Sequence, residues 1–140
     1  MSEPKSRAFS TLSEDECRRL LETHDLGRIA LVVDGSPQIF PVNYAYSDDV
    51  VVFRTSEGLK LDRSPLAPVA FEIDGLEPET SSAWSVMVQG TAQNITRTID
   101  TRSERLRKLT VQPAAPGKRS DWIGIYVHRL SGRRFKVAIA

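Results

Sequence analysis

Residues 28–55 read RIALVVDGSPQIFPVNYAYSDDVVVFRT, and the fold is decided in this stretch. Two apolar runs with strand-like alternation flank the pair Asp34-Gly35, which suits a two-residue turn with both central residues at positive φ, so a β-hairpin is expected. A second polar turn, Ser47-Asp48-Asp49, leads into VVVFRT, and the three strands form an antiparallel meander. In the middle strand Phe40, Val42, Tyr44 and Tyr46 share one face, while Ile39, Pro41, Asn43 and Ala45 share the other. Pro41 has no N–H to give to a ladder, which places the strand there at an edge, at a bulge, or beside something that is not a strand. A ligand would fit such a gap.

Working outward, Ser13 followed by Glu16 is a capping box, and Leu12 with Cys17 supplies the flanking hydrophobic staple, so a helix starts here. Cys17, Leu20, Leu21 and His24 continue it as one buried stripe. Gly27 suits the exit, and His24 sits where a ring nitrogen favours the negative end of the helix dipole. Met1 to Ser10 is polar and reads as a flexible arm before a single domain over 11–140. After Lys60 a short helical turn ends at Pro65 and Pro68, and VAFEID from Val69 is a strand in which Glu72 needs an exposed face or a partner. A polar loop over 75–83 precedes WSVMVQGTAQNI, a long strand from Trp84 with Gly90 as its bend or bulge. Asp100 or Thr101 caps a second, surface helix whose apolar face is Leu106 and Leu109. The segment 111–120 is a loop, and DWIGIYVHRL, Ser131-Gly132 and RRFKVAI form a closing hairpin. About seven strands and two helices with short connections make the chain mainly β, a small antiparallel barrel with peripheral helices.

Composition excludes several classes of function. With 19 Lys and Arg against 18 Asp and Glu the formal charge is +1, so no strong field draws the chain to nucleic acid or to anionic lipid. The basic residues Arg102, Arg105, Arg107, Lys108, Lys118 and Arg119 lack interleaved aromatics and read as a solvated face. Cys17 stands alone, which leaves no intrachain disulfide and is consistent with a reducing cytosol. No apolar run reaches the roughly 18 residues of a membrane span, and the N-terminus lacks the apolar stretch of a signal peptide. A soluble cytoplasmic protein is expected. His128 has no second ligand at metal spacing, so no metal site is expected. Cys17 and His24 read as packed helix residues, and Trp84 and Trp122 as core or interface.

The chemistry gathers in VVFRTSEGLKL, residues 51–61. An apolar strand ends in Arg54 and Thr55, turns through Ser56, Glu57 and Gly58, and delivers Lys60. A guanidinium fork, a hydroxyl, an ammonium and a glycine turn are the equipment of a phosphate pocket. The plainer alternative is a strand end with solvated charges. The segment is not a P-loop and holds no G-x-G-x-x-G.

Taken in order, the capped helix, GRIALVVDGSPQIFPVNY, VVFRTSEGLKL, VAFEID, WSVMVQGTA and SGRRF resemble the pyridoxamine 5′-phosphate oxidase-like family of FMN-binding split barrels, in its compact actinobacterial form. The likeness runs from Leu12 to Phe135. It implies a split antiparallel β-barrel assembled as a homodimer, with two flavin sites at the interface. The phosphate would be held by Arg54, Thr55 and Lys60 with the Leu61 amide nearby, and the ring would lie along Phe40, Pro41, Val42 and Asn43. The facing protomer would contribute from the Trp84 and Ser85 strand or the C-terminal hairpin. The chain is shorter than the true pyridoxamine phosphate oxidases and does not match their substrate-phosphate residues, so vitamin B6 oxidation is not expected.

The cofactor implied is FMN, with an 8-hydroxy-5-deazaflavin coenzyme as the alternative. The function implied is a flavin- or deazaflavin-dependent oxidoreductase acting on a small molecule, planar or conjugated. The alternative is a module that binds a flavin or tetrapyrrole for storage or sensing. A flavin carries its own redox chemistry, so the lack of a catalytic triad does not argue against an enzyme. The apolar runs LVV, VVVF and VMV, with Trp84, Trp122 and Phe135, exceed what a small barrel covers, which supports the expectation of a dimer.

Overall fold

The computed structural model describes residues 9–55, 67–111 and 121–138. In chain order the elements are β1 (Phe9–Thr11), α1 (Glu14–Glu22), β2 (Leu26–Val33), β3 (Ser36–Ser47), β4 (Val50–Thr55), β5 (Ala67–Glu77), a 3₁₀ turn (Pro78–Thr80), β6 (Ser82–Asn94), α2 (Thr101–Leu106) and β7 (Asp121–Lys136). The seven strands are ordered β1-β7-β4-β3-β2-β5-β6, and β6 also pairs with β7. Six strands therefore close into a ring. β1 lies outside it, on the edge of β7 that β4 leaves free beyond Tyr126. All of these pairings are antiparallel. The chain is a mainly β, split antiparallel barrel, with two α-helices among the described residues.

Local chemistry explains the turns. Asp34 and Gly35 take φ of 51° and 77°, the mirror-image turn whose twist matches two flanking strands. The β3–β4 turn does the same without glycine, with Asp48 and Asp49 both at φ 57°. Aspartate tolerates this region better than most residues, and both carboxylates are engaged. Asp49 Oδ1 accepts from the Tyr46 hydroxyl at 2.6 Å and from Arg18 Nε at 3.3 Å. Asp48 pairs with Arg102 and Arg105. These two arginines stay exposed, as a solvated face requires, and also tie α2 to a turn, and Arg107 donates to the carbonyls of Ile95 and Thr98 at 2.6 and 2.9 Å.

α1 begins with the expected capping box, Ser13 Oγ accepting from the Glu16 N–H while Glu16 Oε1 accepts from the Ser13 N–H. Its last carbonyls are also served. The Tyr44 hydroxyl donates to the Leu21 carbonyl at 2.8 Å, and His24 Nδ1 lies 2.8 Å from the Leu20 carbonyl. Cys17, Leu20 and Leu21 pack with Ile29, Tyr44, Phe53, Phe71, Val86 and Ile125 in the barrel interior. A second cluster joins Val50 and Val52, on the outer face of β4, to Ile95 and Leu106. β4 is consequently buried on both faces, and its run VVVF is covered within the chain by α2 rather than left for a partner.

Three expectations are revised. Phe9 and Ser10 belong to β1, paired with Phe135 and Arg134, not to a loose arm. The loop expected over 75–83 contracts to the 3₁₀ turn, because β5 and β6 stay paired from Ala67 with Ala92 to Glu77 with Ser82. The closing hairpin is absent: β7 runs unbroken through Ser131 and Gly132. Gly132 answers a packing demand instead, since a methyl group there would stand 2.7 Å from Cys17 Sγ. Gly90 does mark the bulge, with a register shift between Gln89 and Gly90. Among the described residues no helix is long and apolar enough to cross a membrane.

Candidate functional site at the fork between two strands

β3 changes partners half-way. Its first part, Ser36 to Asn43, pairs with β2, and its second part, Tyr44 to Ser47, pairs with β4. Continuing the β3–β4 register would set Asn43 against Arg54 and Val42 against Thr55, but the ladder stops at Tyr44 with Phe53. The strands fork there. The β4-facing edge of Phe40, Pro41, Val42 and Asn43 is left without a partner strand among the described residues, and Pro41 sits on that edge as its chemistry requires.

β4 stays paired with β7 through the fork, Arg54 opposite Trp122 and Thr55 opposite Asp121. Strand alternation puts Arg54 on the outer face with Asn43 and Pro41, and Thr55 on the inner face with Val42 and Phe40. The Arg54 guanidinium carbon lies 5.0 Å from the centre of the Trp122 ring, a cation–π contact that fixes its direction. The side chain is engaged by its surroundings, and its Nε is buried. Six of the expected site residues, Phe40, Pro41, Val42, Asn43, Arg54 and Thr55, are therefore brought to the two prongs of one fork. Lys60 and Leu61 lie outside the described residues, as does the turn of Ser56, Glu57 and Gly58.

Trp84 and Ser85 are elsewhere in the same chain. Trp84 is 5% exposed, packs in the core, and meets His24 edge-on at 4.9 Å between ring centres. Gly75 makes room for it, since a methyl group there would come 2.7 Å from the indole. Its ring is a core element. Ser85 points to the opposite, outer face, beside Asp74 on β5 and Arg133 on β7. Asn43 shares that outer face but lies across β2 and β5, roughly 14 Å away at the usual strand spacing.

A cluster that the sequence indicated only in part occupies this outer face. Arg28 Nη1 donates to Glu72 Oε1 at 3.1 Å and to Asp74 Oδ2 at 3.0 Å. Alternation alone puts the two carboxylates on one side of β5, and Glu72 was expected to need a partner. That the partner is Arg28, directly opposite Glu72 on β2 and Pro41 on β3, follows only from the register. Cys17 is fully buried, and burial first, then Glu16 and Glu14, push its thiol above the ordinary range. It is a packing residue. Among the described residues no three His, Cys, Asp or Glu side chains gather as metal ligands would.

The family model described as pyridoxamine 5′-phosphate oxidase matches residues 13–134. The FAD binding protein from Mycobacterium smegmatis is 32% identical and superposes with a TM-score of 0.72, over 91% of this chain and 98% of that one. A putative pyridoxamine 5′-phosphate oxidase from Corynebacterium glutamicum is 27% identical with a TM-score of 0.77, over 95% and 97% of the two chains. An uncharacterised protein of Mycobacterium tuberculosis is 33% identical over 100 residues, covering 67% of this chain and 66% of the relative, so the chain spans just under two thirds of that protein's length. The two solved structures share the barrel fold with this chain over nearly the whole of their length. The chain belongs to the pyridoxamine 5′-phosphate oxidase family.

Proposed function

We propose that this chain binds a flavin nucleotide at the β3–β4 fork and uses it in the oxidation or reduction of a small, planar or conjugated molecule. The observation that carries the reading is the fork: a strand edge at Phe40 to Asn43, open among the described residues, beside Arg54 and Thr55. The similar protein from M. smegmatis binds FAD, which supports a flavin here. FMN is the form proposed, with FAD and an 8-hydroxy-5-deazaflavin coenzyme as the alternatives to be separated by experiment.

In this reading Arg54 and Thr55, joined by Lys60 and the Leu61 amide, hold the phosphate. Arginine offers a planar fork of donors matched to phosphate oxygens, and threonine adds a neutral donor. The β3 edge offers backbone N–H and C=O groups to the polar rim of the ring, except at Pro41, which can only accept. When bound, the flavin supplies hydride and electron transfer, and the protein's part is to bind, orient and exclude water. The site is completed by a second copy of the chain. That copy contributes from its outer face, where Ser85 stands, because its Trp84 is packed in its own core.

The absorbance spectrum of freshly purified protein, with the mass of the cofactor released on denaturation, tests the reading and identifies the flavin. Bleaching by a nicotinamide donor and reoxidation by an added acceptor support the oxidoreductase. A coloured protein that photoreduces but takes electrons from no donor favours a binding module for storage or sensing. Failure to bind FMN, FAD or the deazaflavin overturns the proposal.

A further inference from the structure

Arg54 of β4 and Trp122 of β7 are directly opposed and half-buried, with the guanidinium carbon 5.0 Å from the centre of the Trp122 ring. Opposed residues of an antiparallel pair point to the same face, here the outer one. The backbone brings these two unusually close. The Trp122 N–H donates to Thr96 Oγ1 at 2.8 Å and its carbonyl accepts from the Ile95 N–H at 2.8 Å, so both of its main-chain groups turn away from β4. In an antiparallel ladder a pair turned apart in this way is the closer kind, with Cα atoms about 4.5 Å from each other. The main-chain groups of Arg54 correspondingly turn from β7 toward β3, into the fork.

The ring is itself held. Thr96, which accepts from the Trp122 N–H, donates from its own N–H to Asn94 Oδ1 at 3.0 Å and from its hydroxyl to Asp121 Oδ1 at 3.5 Å. Residues 94–96 therefore brace the start of β7. The indole also packs against the outer cluster of Val50, Val52, Ile95 and Leu106, which α2 closes. A guanidinium resting on this ring is referred, through it, to the best-packed part of the outer face.

Arginine has a long side chain whose rotamer freedom is given up when it grips an anion, and a group ordered beforehand gives up less. An aromatic ring orders it without touching its charge. A carboxylate would neutralise the cation and occupy its N–H donors, whereas a ring attracts the guanidinium through its face and takes none of them. We infer that Trp122 is a positioning residue for the cofactor phosphate, holding the Arg54 guanidinium in place at the fork. This rests on the flavin site proposed above, and adds to it the side chain that sets its charge in position.

Titration of the full chain with FMN and with riboflavin, which differ only in the phosphate, tests the inference. Trp122→Leu is expected to weaken FMN binding about tenfold, the scale of a half-desolvated cation–π contact, and riboflavin binding by less than about twofold. Trp122→Phe, which keeps an aromatic face, should recover part of the loss. Site-specific replacement of Trp122 by fluorinated tryptophans drains the negative face of the ring while keeping its shape, and serves if Trp122→Leu does not fold. FMN affinity should then fall with each added fluorine while riboflavin affinity stays. In an Arg54→Ala background, Trp122→Leu should cost no further FMN affinity. Folded Trp122 variants that bind FMN as the wild type does, or that lose FMN and riboflavin alike, overturn the positioning role and leave the flavin site standing. An undiminished loss in the Arg54→Ala background does the same. A wild type that binds FMN no better than riboflavin overturns the phosphate reading of this strand end, and the inference with it.

Discussion

Gly132 of β7 lies against Cys17 of α1 so closely that a methyl group would stand 2.7 Å from the sulfur and 3.0 Å from the Ser85 carbonyl oxygen. The Leu12 N–H donates to the Gly132 carbonyl at 2.9 Å, so the chain is drawn onto the strand at this point. Gly132→Ala is expected to destabilise the fold by about 2 kcal/mol through overpacking. Urea unfolding should show a lower midpoint with an unchanged slope. Adding Cys17→Ala should cost less in this background than in the wild type, because the two changes share one contact.

Gly35 gives the opposite kind of test, since nothing lies within 4 Å of where its methyl group would be and its φ is +77°. Gly35→Ala therefore meets only backbone strain, expected at about 1–2 kcal/mol. Thermal unfolding should register that loss. Gly35→Asn, which tolerates positive φ better, should lose less, and a larger loss for asparagine would contradict the turn.

Arg54 is expected to matter for flavin more than for folding. Arg54→Ala should weaken flavin binding by about 2 kcal/mol, roughly thirtyfold, the scale of one charge-assisted hydrogen bond. Lys60→Ala should act in the same direction. Fluorescence titration with FMN measures both effects, and unchanged affinity in natively folded variants would remove the phosphate from this strand end.

Asp49 sets part of the response to acid. The Tyr46 hydroxyl first, then Arg18, hold its carboxyl below the ordinary value of 3.8. The unfolded chain then takes up this proton first, so the stabilisation is present above about pH 4 and is lost as pH falls below it. Asp49→Asn should flatten the fall in the urea midpoint between pH 5 and pH 3.

Much of the architecture was legible because it is written in neighbouring residues. Ser13 with Glu16, Asp34 with Gly35, Asp100 and Gly90 each encode a cap, turn or bulge within a few positions. Pro41 did the same for the site, because a missing donor in a strand must be accommodated wherever the strand lies. Other features depend on distant contacts. Ser131-Gly132 has turn chemistry, yet its glycine answers to a helix more than a hundred residues earlier in the sequence, at Cys17. β1 is too short to carry a pattern of its own. The outer face of β4 read as surplus because its cover, Leu106 and Ile95, is recruited only in three dimensions. Arg28 could not be matched to Glu72 and Asp74 before the β2–β5 register was known.

Because β7 pairs with β1, β4 and β6, the order of synthesis constrains when this protein can become a folded object. On the ribosome β2, β3 and β4 emerge early and can zip as a local meander, with β5 and β6 as a second hairpin. Until Asp121 to Lys136 emerges, β4 has an unpaired edge and the ring stays an open, apolar sheet, a state prone to aggregate. Loss of a stretch within those residues would thus act as all-or-none, whereas trimming Phe9 to Thr11 removes one short pairing from a ring that is already closed.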